Sequence, residues 1–131
     1  MRVQQIAFNE ISAAEVSAIP AMKQLKLFFA FKVDEGCLSG EPVDSRFGVI
    51  ERDGRRIFRF RSDDDYRIYF TIEKNQDGDT VVVIQRVLHA DSLKDFFFRS
   101  GMASDGEDKK LGKSRSFWKF IEEGEKAARK Y

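Results

Sequence analysis

The sequence predicts an α+β domain: an N-terminal strand and a helix pair packed on an antiparallel β-meander, followed by a short helix and a C-terminal helix. Three observations carry that expectation. Between Phe47 and His89 apolar residues recur with period two and are broken by short turn signals. Before this stretch they recur at helical spacing behind helix-start residues, and after it aromatic clusters again fall at helical spacing.

Taken in order, Arg2 to Phe8 is a strand candidate in which Ile6 and Phe8 alternate with polar or small neighbours. Ser12-Ala13-Ala14-Glu15 has the spacing of a capping box, whose hydroxyl and carboxylate satisfy free amides at a helix start. Pro20 suits the first turn of a second helix, so helices are predicted over 12–18 and 20–33. The segment from Lys26 to Val33 is also rich in strand formers, but Met22, Leu25, Phe28 and Phe29 recur at helical spacing and favour an amphipathic helix. Gly36, Gly40 and Pro42 then mark a loop that carries Cys37.

In the meander, Phe47-Gly48-Val49-Ile50-Glu51 and Arg56-Ile57-Phe58-Arg59-Phe60-Arg61 flank Asp53-Gly54, a dipeptide tolerant of positive φ and suited to a tight hairpin. Asp63-Asp64-Asp65 makes the next turn, Tyr66 to Lys74 the next strand, Asn75 to Asp79 another turn and Thr80 to His89 the last strand. Links this short require antiparallel neighbours. Asp91 or Ser92 can cap a short helix through Phe98, with Leu93, Phe96 and Phe97 on one face and Gly101 as its end. Residues 100–114 read as a polar, mobile loop, and Ser116 to Lys130 as a terminal helix with Phe117, Trp118, Phe120 and Ile121 as its apolar patch. The chain reads as one domain over 1–131, with 102–131 a C-terminal extension ending in a helix.

A chain of 131 residues is long enough to bury one sizeable core. The net charge of +1 gives no long-range field for polyanions, so any such site must be local. Cys37 is the only cysteine and His89 the only histidine, which leaves no internal disulfide and no zinc-ligand cluster, and a reducing cytoplasm fits best. No secretory leader is read at the N-terminus. The most apolar stretch, Leu25 to Val33, is interrupted by Lys26 and Lys32 and is too short for a membrane span. No Gly-rich phosphate loop, Gly-x-Ser-x-Gly elbow or HExxH motif is present, which disfavours hydrolases and kinases of those types; no cofactor and no metal are expected.

Strand phase sorts the residues that could carry chemistry. Phe58 and Phe60 point one way and Arg59 and Arg61 the other, while Tyr66, Ile68, Phe70 and Ile72 oppose Arg67, Tyr69, Thr71 and Glu73. On the last strand Gln85 and His89 share a phase. The prediction is that Arg59, Arg61, Arg67, Tyr69, Gln85 and His89 converge on one exposed face of three strands. Arginine forks on a stiff sheet match phosphate oxygens, and Tyr69 could stack an unpaired base. The plainer alternative is that the outer face of a half-solvated sheet is polar anyway, with Arg stems covering apolar strands and His89 serving a turn. The three consecutive aspartates read as a solvated turn; Phe96-Phe97-Phe98 and Phe117-Trp118 read as core or as a partner groove.

The order strand, helix pair, meander, the run Arg56-Ile57-Phe58-Arg59-Phe60-Arg61 closed by Tyr66-Arg67-Ile68-Tyr69, and the ending Val87-Leu88-His89 together resemble the RelE/ParE superfamily of type II toxin-antitoxin systems, over about Met1 to Phe98. The resemblance implies a metal-independent endoribonuclease that cleaves ribosome-bound mRNA and represses translation. That chemistry needs a base for the ribose 2′-OH, cations for the charge on phosphorus and an acid for the leaving 5′-oxygen. Arg67 matches the family arginine that stabilises the phosphate, Arg59 and Arg61 fall at basic positions of the preceding strand, and His89 lies near a basic or histidine position and is the candidate for proton transfer. Arg67, His89 and Arg61 are thus the expected catalytic residues, and Arg59, Arg56, Tyr69 and Gln85 the expected RNA- or phosphate-binding ones. Implied partners are a cognate antitoxin and mRNA on the ribosome, with a homodimer left open and no membrane. Phe96 and Phe97 stand where many members carry a functional tyrosine, the turn at 62–65 is long and acidic, and the chain runs on past the family's usual end. These departures keep open a non-catalytic interaction module, either a ParE-like gyrase inhibitor or a degenerate toxin-fold binding protein.

Overall fold

Asn9 sets the start of the first helix, and from there the chain alternates between capping and pairing devices that fix each element. The computed structural model describes residues 5–42, 44–63, 65–94 and 107–130. Strand β1 (Gln5–Asn9) leads into helices α1 (Glu10–Ser17), α2 (Ala21–Ala30) and α3 (Glu35–Ser39). Strands β2 (Phe47–Arg52), β3 (Arg55–Arg61), β4 (Tyr66–Lys74) and β5 (Thr80–His89) follow. Residues 90–94 are helical (α4), and the chain closes with α5 (Glu107–Gly112), α6 (Arg115–Lys126) and β6 (Arg129–Lys130). The predicted α+β class and the layout of strand, helices, meander and C-terminal helix are therefore observed.

The sheet order is β2-β3-β4-β5-β1-β6. The four meander strands pair antiparallel, β1 runs parallel to β5 from Gln5↔Val81 to Phe8↔Ile84, and β6 closes antiparallel on β1. The hairpin at Asp53-Gly54 has φ of 50° and 81°, positive at both central residues, as a tight hairpin matched to strand twist requires.

Local details depart from expectation for identifiable reasons. The N-cap of α1 is Asn9: its side chain accepts from the Ser12 amide at 2.8 Å while the Ser12 hydroxyl accepts from the Asn9 amide at 3.0 Å. Ser12 is thus the returning member of the box, and asparagine is as good a cap as serine. Helix α2, predicted over 20–33 with Pro20 in its first turn, runs from Ala21 to Ala30 with Pro20 as its N-cap. The Cys37 loop folds into α3, because Asp34 accepts from the Cys37 amide at 2.8 Å and Gly40 ends the turn at φ +86°. Part of the loop predicted over 100–114 is helix α5, and the terminal helix stops at Lys126, where the chain turns back to pair as β6. Leu93 is buried as predicted for the short helix, whose Phe96 and Phe97 lie outside the described residues.

Both faces of the sheet are covered. On one, Leu27 and Phe31 from the α2 region, Val33 and Cys37 pack on Phe47, Phe58, Phe60, Ile68, Phe70, Val82, Ile84 and Val87. On the other, Leu111, Phe117, Trp118 and Ile121 from α5 and α6 pack on Ile50, Ile57, Tyr69 and Leu88. The 102–131 extension therefore supplies, within its described part, one half of a core rather than an appendage.

Helix α6 approaches β5 closely enough that a Cβ on Gly124 would run into the backbone carbonyl of Gln85. We expect Gly124→Ala to lower stability by about 1–2 kcal/mol, since overpacking against rigid backbone outweighs the gain in helix propensity. Chemical denaturation measures this, and a stabilised variant would show that the contact yields.

Candidate functional site

The predicted arginine face does not form an open surface. Arg59 is only 4% exposed: its Nε and Nη2 donate to the two carboxylate oxygens of Asp108 on α5 at 3.1 and 2.8 Å, and its Nη1 donates to the Arg46 carbonyl at 2.7 Å. Tyr69 is fully buried, its ring edge-on to Phe117 with centroids 5.1 Å apart, so it offers no platform to a base. Gln85 is buried too, donating to the Thr71 hydroxyl at 3.1 Å and accepting from the Asn9 side-chain amide at 3.2 Å. The expectation of a half-solvated sheet failed because α5 and α6 cover this face. Phe117-Trp118, read as core or as a partner groove, is core.

His89 also departs from its predicted place. Strict alternation gives it the phase of Gln85, but β5 carries an irregularity opposite Tyr69/Phe70: Tyr69 pairs with Arg86 while Phe70 pairs with Ile84. Gln85 is the extra residue, and a bulge of this kind shifts the phase of everything after it by one. His89 therefore stands opposite Tyr66, on the side of Val87 and Ile68, whereas Leu88 stands opposite Arg67. The two expected catalytic residues, Arg67 and His89, share one end of the sheet but occupy opposite faces.

That end is the candidate site. Arg61 and Arg67 are direct cross-strand partners on β3 and β4, and Tyr66 and His89 are direct partners on β4 and β5. Arg61 is exposed, Arg67 is buried to 7% exposure, and His89 keeps about a third of its side chain in solvent, 36%. The His89 ring meets Tyr66 edge-to-face at 5.1 Å. Its Nδ1 accepts the Asp91 amide at 3.1 Å, an arrangement that leaves the hydrogen of a neutral ring on Nε2, pointing the donor away from the backbone. The Asp91 carboxylate lies 3.5 Å from Nδ1.

Arg46, ahead of β2, stands beside this end. Its carbonyl accepts from the Arg61 amide at 2.8 Å as well as from Arg59, and its guanidinium pairs with Asp44 at 2.7 Å. Hydrogen bonding to Arg46 holds the Asp44 carboxyl below its usual range, and the same bond holds Arg46 above its own. Arg56 is far from this group, exposed on the β2–β3 hairpin and bonded to Glu51 at 3.0 Å.

Sequence reasoning passed over Arg86, which ties three elements together. It donates to Glu15 of α1 at 2.7 and 3.1 Å and to the Phe120 carbonyl of α6 at 3.0 Å, and it lies 3.8 Å over the Phe120 ring. Glu15 also accepts the Val87 amide at 3.0 Å, so α1 satisfies an edge amide of β5 beyond the last β1 pair. Charge alternating with apolar residues was the available signal, but it cannot show which helix arrives. Cys37 carries no reactive signature: burial pushes its thiol up to about 12, so it stays protonated at neutral pH.

Among the described residues there is no group of three or more His, Cys, Asp or Glu side chains arranged to hold a metal, and no helix long and apolar enough to cross a membrane. No protein-family model matches the chain, and neither a curated protein nor a solved structure is significantly similar to it.

Proposed function

We propose that the chain is a toxin of the RelE/ParE type, a metal-independent endoribonuclease acting on ribosome-bound mRNA. The supporting observation is the sheet end at which Arg61 opposes Arg67 and Tyr66 opposes His89 on three adjacent strands. In this reading Arg61, the exposed cation, meets the scissile phosphate, and Arg67 behind it adds positive potential at low dielectric. The ribose 2′-oxygen attacks phosphorus as a base takes its proton, the P–O5′ bond breaks, and the products are a 2′,3′-cyclic phosphate and a 5′-hydroxyl. His89, on the opposite face of the sheet end from Arg61 and Arg67, supplies the proton to O5′ where the RNA wraps that end. The reading implies a cytoplasmic protein held in check by a cognate antitoxin.

The test is tightly induced expression in bacteria of the wild type, Arg61→Ala and His89→Ala, following growth and mapping new 5′ ends of cellular mRNA. Arrest with cuts in translated frames is expected for the wild type, and a roughly 100-fold slower cleavage for Arg61→Ala, the scale of losing one charge-stabilising donor. Normal growth and intact transcripts with soluble wild-type protein overturn the reading.

A second reading has its own observation: Arg59, Tyr69 and Gln85 lie beneath α5 and α6, which leaves few of the expected RNA contacts in solvent. That favours a non-catalytic interaction module, either a ParE-like gyrase inhibitor or a degenerate binding protein, and it predicts no transcript cleavage under any condition.

A further inference from the structure

The apolar spacing that predicts α2 points largely the wrong way for a core. Met22, Leu25 and Phe29 are 76%, 69% and 79% exposed, while Leu27 on the opposite side enters the core and Phe28 packs against it. At 100° per residue Met22, Leu25 and Phe29 fall within one narrow stripe, turned away from Leu27. Three large side chains aligned in water on one helix are more than the scattered exposure every surface shows. Beside the stripe a groove of about 490 Å³ runs between α2 and the turn after β3, lined by Leu25, Phe29, Ala30, Ser62 and Asp63 among others.

The charge around the stripe selects the occupant. Lys26 flanks it on one side, and the Lys32 ammonium lies 5.0 Å over the Phe29 ring at its end. Helix α2 contains no acidic residue. Asp63 on the groove wall is the acid nearest the stripe among the groove's lining residues, and its field also falls on Arg46. A second copy of this face, laid against the first, would bring lysines against lysines, which is repulsive at contact range.

We propose that the outward face of α2 docks an acidic amphipathic helix of a partner protein, its apolar side over Met22, Leu25 and Phe29 and its carboxylates over Lys26 and Lys32. The geometry is that of a helix laid against apolar anchors at i, i+3 and i+7. This inference stands apart from the nuclease reading, since it uses no residue of the sheet end.

The test titrates the full chain with two designed helical peptides that share one leucine stripe, one flanked by glutamates and one by lysines, following fluorescence anisotropy. The glutamate peptide is expected to bind at least tenfold more tightly than the lysine peptide, and to weaken as salt rises. Leu25→Ser/Phe29→Ser, both exposed and so neutral for folding, should weaken it at least tenfold with an unchanged circular dichroism spectrum. Equal binding of the two peptides, or none of the glutamate peptide, overturns the proposal. So does a concentration-dependent wild-type dimer in sedimentation that the double variant abolishes, because the occupant is then a second copy.

Discussion

Phe117→Ala is expected to lower the stability of the protein by about 3–5 kcal/mol, the loss typical of removing a fully buried phenylalanine. Phe117 has no exposed surface, lies 5.1 Å from the Tyr69 ring and 5.6 Å from Trp118, and belongs to the cluster that joins α5 and α6 to the sheet. Domains of this size are stable by about 5–15 kcal/mol, so the variant sits near the edge of folding. Urea denaturation followed by Trp118 fluorescence reads the change, with Phe29→Ala, on the exposed stripe of α2, as a control expected within about 0.5 kcal/mol of wild type. An unchanged Phe117→Ala midpoint would mean that α5 and α6 can leave the sheet without unfolding it. The face carrying Arg59 and Tyr69 would then open, and the objection that burial raises against an RNA-binding role would fall.

The meander was legible because its information is local. Period-two alternation over Phe58 to Arg61 and Tyr66 to Ile72, with Asp53-Gly54 between β2 and β3, determines strand, turn and pairing without reference to anything distant. The candidate site depended on two facts that alternation does not carry. One is the bulge at Gln85, a single extra residue that moves His89 to the other face. The other is the destination of α5 and α6: Leu111, Phe117 and Ile121 advertise a buried stripe, but nothing local says that it lies on the Arg59 face. For α2 the spacing of Met22, Leu25, Phe28 and Phe29 correctly indicated a helix, but it could not say that Met22, Leu25 and Phe29 would face solvent. Asn9 was overlooked as a cap because it also ends a strand, and β6 is too short to show any period.

Asp108→Ala is expected to cost about 2–3 kcal/mol, and Arg59→Met/Asp108→Leu to recover most of that loss. The reasoning turns on what is left behind. Asp108 keeps 28% of its side chain in solvent, whereas the Arg59 side chain keeps 5%, so removing the carboxylate strands a nearly dry guanidinium that still donates to the Arg46 carbonyl just before β2. Breaking a buried pair from one side typically costs about 3–5 kcal/mol, and the partial exposure of Asp108 lets water offset some of it. Replacing both members by apolar side chains removes the stranded charge and restores packing, which is often neutral for buried pairs. Room for the pair comes from Gly48, directly opposite Arg59 on β2, where a Cβ would strike both the guanidinium and the Asp108 carboxylate. A double-mutant cycle by urea denaturation therefore separates two roles for Arg59. Recovery in the double variant marks the arginine as a structural tie between β3 and α5. A double variant that stays as unstable as Asp108→Ala would mean that the site itself, and not the stranded charge, demands polar groups, as a seat shaped for an anion does.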